Sequence, residues 1–384
     1  MSDDRSAAPR LRDRVLADAR LQAELAPIED AAALSERLLA LAAEEGIALD
    51  PADLAPFLRP DPLGISALSD PVPLRRLWPG ADWLPVAVHR LPGGEEVVDW
   101  AHLAGAPLTA SFFATAVRPI AVRPFNRLFR YRMRLEDFVA AAADEPLPEP
   151  DGFIFHMSRC GSTLVAQMLA ALPGSEIVSE ASPLDAVARH AAFGDGTDAA
   201  AMLRAMAGAL GRRGGRPFVV KLDFWQALAL ALYRRAFPTV PWLFLFRDPV
   251  EVLVSQMNRR GAETMPGIMP ELGVDPAAPE PVQIAQALAR ICEAAADAAA
   301  AGGGLFVDYA DLPEAVFSAI LPHFRVDPGE TRPLMAAAAA RDAKTPSQPF
   351  ESDAQTKRAQ ADEEIRAASR LLESVHERLT AFHR

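Results

Sequence analysis

The residues with the clearest chemical potential lie together in Ser158-Arg159-Cys160-Gly161-Ser162-Thr163. They stand between an apolar run, Phe153-Ile154-Phe155, and a stretch whose apolar residues Val165, Met168, Leu169 and Leu172 repeat at helical spacing. That order predicts a strand, a turn and a helix start. The first amides of a helix lack intrahelical acceptors, and the helix dipole puts partial positive charge there. Add a glycine that permits close approach, two hydroxyls and the full charge of Arg159, and the result is a cradle for an anion, phosphate above all. The same residues also suit an ordinary strand-to-helix turn capped by serine or threonine. Spacing argues against two sharper readings. A nucleotide P-loop of the form G-x-x-x-x-G-K-[ST] needs lysine after its second glycine, and Ser162 follows Gly161. A cysteine phosphatase needs arginine six positions beyond the nucleophile, and that position is Ala166. Cys160 is a candidate for a depressed thiol pKa at a helix start, or simply a small residue that fits.

A second constellation follows the apolar run Trp242–Phe246. Arg247 falls at a predicted strand end, Asp248 is a natural N-cap and Pro249 a natural first helical residue. Ser255 comes eight positions after Arg247. A charged fork and a hydroxyl at the carboxyl edge of a sheet suit a second phosphate. The plain alternative pairs Arg247 with Asp248 and leaves Ser255 as an ordinary helix residue. Of 39 basic residues, lysine occurs only at Lys221, Lys344 and Lys357, which hints at places that want a compact ammonium.

The elements that must position these residues alternate. Strand-like FIFHM, EIVSE, PFVVKL, PWLFLF and GLFVDYADL are separated by helical stretches from residue 152 onward. Short apolar strands alternating with helices predict an α/β fold with a central parallel sheet covered on both faces. Residues 1–60 read as alanine- and leucine-rich helices, and EVVDWAHL is the best strand candidate before residue 106. The expected division is therefore an N-terminal, mainly helical accessory region over 1–105 and an α/β domain over 106–384. Residues 261–280, rich in proline and glycine, predict a mobile loop in which Met265 and Met269 either close over a substrate or belong to a connector.

Bulk composition sets limits. A net charge of −12 disfavours nucleic acid and anionic membranes as partners, so an anionic ligand needs a local basic pocket. No apolar run reaches membrane-spanning length, and the N-terminus lacks the apolar core of a secretory signal. With two distant cysteines, Cys160 and Cys292, a disulfide framework is not expected, and a cytoplasmic location is the default. No His/Cys metal cluster and no nucleophile elbow are seen, so no metal is expected.

With both constellations in view, a resemblance emerges. SRCGSTL resembles the 5′-phosphosulfate loop of PAPS-dependent sulfotransferases, [KR]-[SGC]-G-[ST]-[ST], with Arg159, Cys160, Gly161, Ser162 and Thr163 in order. RDPVEVLVS resembles the same family's 3′-phosphate motif through Arg247 and Ser255. VDYADL resembles its YEDL strand-and-turn, and AKTPSQPFESDAQTKR resembles the C-terminal segment of bacterial members, where Lys344 would approach the nucleotide end. The likeness spans roughly residues 150–350. It implies a P-loop-like three-layer α/β/α fold, PAPS as sulfuryl donor with PAP as product, and transfer to a hydroxyl or amine of a small-molecule, carbohydrate or peptide acceptor. Lys221 would reach a bridging or sulfonate oxygen. Where the cytosolic branch has histidine, this chain has Asp223, and Glu180 resembles the glutamate base of bacterial and protein-tyrosine members. Glu180 ranks ahead of Asp223 as base, and either one also suits a helix cap or surface acid. A kinase of related fold and a non-catalytic nucleotide-binding scaffold are the alternatives. The N-terminal region is a candidate for shaping the acceptor site or for homodimer formation.

Overall fold

The computed structural model describes residues 7–58, 72–108, 111–194, 198–299, 301–341 and 353–383, with side chains at 56–58 left aside. Lys344 lies outside the described residues. The chain is mixed α/β and divides into two compact units, Met1–Leu147 and Pro148–Arg384.

The first unit begins with helices Ala7–Leu16, Ala19–Leu25, Ala31–Glu44 and Pro51–Leu58, as its composition predicts. Asp18 and Asp30 cap the second and third by accepting backbone N–H bonds. It then builds a four-stranded sheet in the order β1-β4-β3-β2, from β1 (Leu74–Arg75), β2 (Trp83–Arg90), β3 (Glu96–His102) and β4 (Tyr131–Arg134). The boundary expected at 105/106 therefore moves to 147/148. The reason is strand pairing: β4 lies antiparallel to β3, with Val98 opposite Met133, so residues beyond 105 complete the N-terminal sheet. Trp78, Trp83 and Trp100 are all buried there, and Trp78 stacks on Phe138 at 4.9 Å between ring centroids.

The second unit holds a five-stranded, all-parallel sheet in the order β6-β7-β5-β8-β9. Its strands are β5 (Gly152–His156), β6 (Glu176–Ser179), β7 (Phe218–Lys221), β8 (Trp242–Phe246) and β9 (Gly304–Asp308), each on a run read as a strand from sequence, with β5 starting one residue earlier than FIFHM. Every residue of β5, β6, β7 and β8 is buried. Successive strand residues face opposite sides, so helices must cover both faces, which is compatible with a three-layer arrangement. The chain leaves β5 for one side of the sheet, returns through β7 and crosses to β8 on the other. The carboxyl tips of β5 and β8 thus flank the point where strand order reverses, the usual place for a ligand crevice in such sheets.

Residues 261–280 correct one expectation. They are pinned by short turns at Ala262–Thr264 and Pro270–Leu272, with Thr264, Met269 and Leu272 buried. Arg260 bonds the Thr264 carbonyl at 2.5 Å and the Gln283 side chain at 2.9 Å. Met269 is therefore core, and Met265 remains exposed. Among the described residues, no helix is long and apolar enough to cross a membrane.

Candidate functional site

The turn after β5 takes an unusual path. Ser158 and Arg159 have φ of +73° and +52°, and Gly161 has +85°. These left-handed residues fold the chain into a tight turn at the strand tip. Helix Ser162–Ala170 starts at once, and its first i→i−4 bond is Val165 N–H to the Gly161 carbonyl at 3.1 Å. Gly161 also answers a packing demand that the sequence did not reveal. A Cβ there would stand 2.7 Å from Leu312 Cδ1 and 2.8 Å from Tyr309 Cδ2, so the missing side chain makes room for the turn after β9. Cys160 is fully buried, and burial pushes its thiol up to about 12, so the depressed pKa considered above does not occur. Ser162 and Thr163 are nearly buried at the helix start. The Arg159 guanidinium donates to the Arg259 carbonyl at 2.5 Å. Burial, with neighbouring Arg259, lowers its pKa from the ordinary arginine value.

His156, at the tip of β5, is held from both ring nitrogens. Its Nδ1 accepts the Ser158 N–H at 3.0 Å, and its Nε2 donates to the Leu222 carbonyl at 3.0 Å. That pattern needs the neutral ring with its proton on Nε2, so His156 braces the turn rather than serving as a base. Gln256 donates to Ser158 Oγ at 3.0 Å and accepts the Gly261 N–H at 2.7 Å, tying the same turn to the 261 segment.

The tips of β6 and β7 bring Glu180, Lys221 and Asp223 together. Lys221 is fully buried, and its ammonium donates to Glu180 Oε1. The Glu180 N–H bonds the Lys221 carbonyl at 2.8 Å, with Glu180 in the left-handed region at φ +51°. His156 Nε2 lies 3.8 Å from Glu180 Oε1. Asp223 accepts the Phe224 N–H at 2.6 Å as the cap of the next turn. Burial, then Glu180, Glu263 and Asp185, push its carboxyl up to about 8. Asp185 accepts from Trp225 Nε1 at 2.5 Å, and Trp225 and Phe224 are packed in the core.

Arg247 sits on the neighbouring tip. The register pairs His156 with Leu245, and the Met157 N–H continues to the Leu245 carbonyl at 3.0 Å. Arg247 Nη1 accordingly comes within 3.4 Å of the Arg159 carbonyl, on the same edge as the 158–163 turn. Its guanidinium carbon lies 3.9 Å from the Tyr309 ring centroid. Asp248 does cap helix Pro249–Asn258, accepting the Glu251 N–H at 3.1 Å. The Arg247 partners are instead Glu251 at 2.7 Å and Asp353 at 2.8 Å. Burial alone would lower the Arg247 pKa, and these two bonds outweigh it and raise it. Ser255 lies partly buried in the second turn of that helix.

Sequence reasoning missed the rest of this cluster. Lys357 pairs with Asp353 at 2.7 Å, and Arg358 pairs with Glu251 at 2.8 Å and Asp248 at 3.5 Å. Glu251 carried a signal, an acid in the first turn of the helix four residues after Arg247. Lys357 and Arg358 closed the C-terminal segment already singled out, although only Lys344 was taken from it. Among the described residues, no group of His, Cys, Asp and Glu is arranged to hold a metal ion. No family model and no curated protein matches this chain, so the family likeness rests on the residues that carry it.

Proposed function

We propose that this chain is a PAPS-dependent sulfotransferase with a P-loop-like fold, acting on a hydroxyl or amine acceptor. The observation that carries the reading is the convergence of two motifs chosen independently from sequence. Arg247 stands 3.4 Å from the backbone of the Arg159 turn, at adjacent strand tips where strand order reverses. The donor set fits an anionic nucleotide: the first amides of helix Ser162–Ala170, nearly buried hydroxyls, a buried ammonium and a buried guanidinium.

When bound, PAPS supplies the sulfuryl group. Arg159 and the amides of Gly161, Ser162 and Thr163 hold the phosphate that carries it. Lys221 stabilises charge that gathers on the oxygens during transfer, and its burial strengthens that interaction. Arg247, with Ser255, holds the 3′-phosphate. Glu180 takes the acceptor proton, oriented by its bond to Lys221. One observation favours Asp223 as the base instead: a carboxyl titrating near 8 is matched to proton transfer close to neutral pH.

The test is transfer of labelled sulfuryl from PAPS to a panel of phenols, sugars, amines and tyrosyl peptides. Lys221→Met is expected to lower turnover about a thousandfold, with adenosine 3′,5′-bisphosphate affinity within about threefold of wild type. Silence across the panel despite tight bisphosphate binding supports the scaffold alternative. Tighter binding of ATP-Mg than of the bisphosphate supports the kinase. A turnover that rises with pH through about 8 and loses that rise in Asp223→Asn moves the base role to Asp223.

A further inference from the structure

The Arg247 guanidinium has three directed contacts: Nε to Glu251, Nη1 to the Arg159 carbonyl and Nη2 to Asp353. Two of these partners are carboxylates, and they differ. Glu251 is 3% exposed and held from both sides by Arg247 and Arg358, so it belongs to the frame of the cluster. The Asp353 side chain is 50% exposed. Its oxygens divide between Arg247 at 2.8 Å and Lys357 at 2.7 Å, so one carboxylate sits between two cations as a phosphate would. Asp353 stands at the start of helix Ala354–Gln360 yet makes no side-chain capping bond, so the helix does not need its carboxylate there. The three cations of the cluster, Arg247, Lys357 and Arg358, meet three carboxylates, Asp248, Glu251 and Asp353.

We propose that Asp353 is the resident counter-anion of this site, occupying the place between Arg247 and Lys357 that a ligand phosphate takes and leaving it when the phosphate binds. This rests on the reading of Arg247 as a phosphate ligand. Without the Asp353 carboxylate the cluster carries one net positive charge. A phosphate dianion offers more charge and more acceptor oxygens than the carboxylate it replaces. A ligand without that phosphate leaves Asp353 in place. Asp353 thereby shields a buried arginine from adventitious monovalent anions and weakens the hold on the departing nucleotide.

The experiment is calorimetric titration of wild type, Asp353→Ala, Asp353→Asn and Arg247→Ala/Asp353→Ala with adenosine 3′,5′-bisphosphate, AMP and inorganic phosphate. Both single variants are expected to bind the bisphosphate about tenfold tighter than wild type, with AMP within about twofold. Inorganic phosphate should also bind tighter to both, and the double variant should lose every gain. Unchanged or weaker bisphosphate and phosphate binding by the single variants, with unchanged circular dichroism, overturns the proposal. So does a gain that survives in the double variant. A wild type that binds the bisphosphate no better than AMP contradicts the proposed function instead, and the inorganic phosphate comparison then decides the role of Asp353 alone.

Discussion

The two halves of this sheet edge handle charge in opposite ways. At the tips of β6 and β7, Lys221 faces Glu180, and Glu180, Asp185 and Glu263 all lie within electrostatic reach of Asp223. Carboxylates outnumber cations there, the surroundings are buried, and the excess is resolved by a proton: Asp223 is pushed up to about 8. At the tip of β8 the opposing groups balance, and the network reaches solvent through Asp353 and Arg358. There the charge is resolved by pairing: burial would lower the Arg247 pKa, and the hydrogen bonds that Glu251 and Asp353 accept from it outweigh that. The first half is therefore governed by pH, and the second by competing anions. That division suits a site where protons move at one end and a phosphate is gripped and released at the other.

The largest expected effect tests the pH-governed half. The folded-state pKa of Asp223 lies above that of an ordinary aspartate, so the folded protein holds this proton more tightly than the unfolded chain. Its stabilising contribution is complete below the ordinary aspartate range and is lost as pH rises through about 8. A neutral amide in place of the carboxyl carries no such penalty. Asp223→Asn should therefore gain on wild type as pH rises from the ordinary aspartate range to about 8 and hold a lead of several kcal/mol above that. Denaturant unfolding across pH measures this, and a constant offset at every pH would remove the charge-excess account.

A smaller effect concerns the turn that joins the halves. Gly161→Ala must place a side chain at φ +85° and 2.7 Å from Leu312. It should cost about 2 kcal/mol, read as a lower melting temperature. Because the turn would hold the phosphate common to both ligands, bisphosphate and AMP affinity should fall together. A selective loss of the bisphosphate would assign the turn to the wrong end of the ligand.

Much of this edge was legible in the sequence because its parts are local. β5, β6, β7, β8 and β9 each follow from a short apolar run, and the cap Asp248 and the helix start at Ser162 follow from residue type. The hint carried by lysine also fits: Lys221 and Lys357, the two lysines among the described residues, both lie in the charged clusters. What could not be read depends on long-range packing. Lys357 and Asp353 meet Arg247 from more than a hundred residues away. The close packing of Leu312 and Tyr309 against Gly161 also comes from a distant part of the chain. β4 was hidden because Tyr131 and Met133 alternate with two arginines, too short a pattern to stand out, and the segment becomes a strand only by pairing with β3. The raised pKa of Asp223 comes from burial first, and then from three carboxylates on separate elements.

The central claim is that neighbouring strand tips grip opposite ends of one doubly phosphorylated adenosine. Titration of wild type and Arg247→Ala with adenosine 3′,5′-bisphosphate and AMP tests it directly. The account predicts that the variant loses about a hundredfold in bisphosphate affinity and keeps AMP affinity within about twofold. Equal losses for the two ligands, or no loss for either, would contradict it.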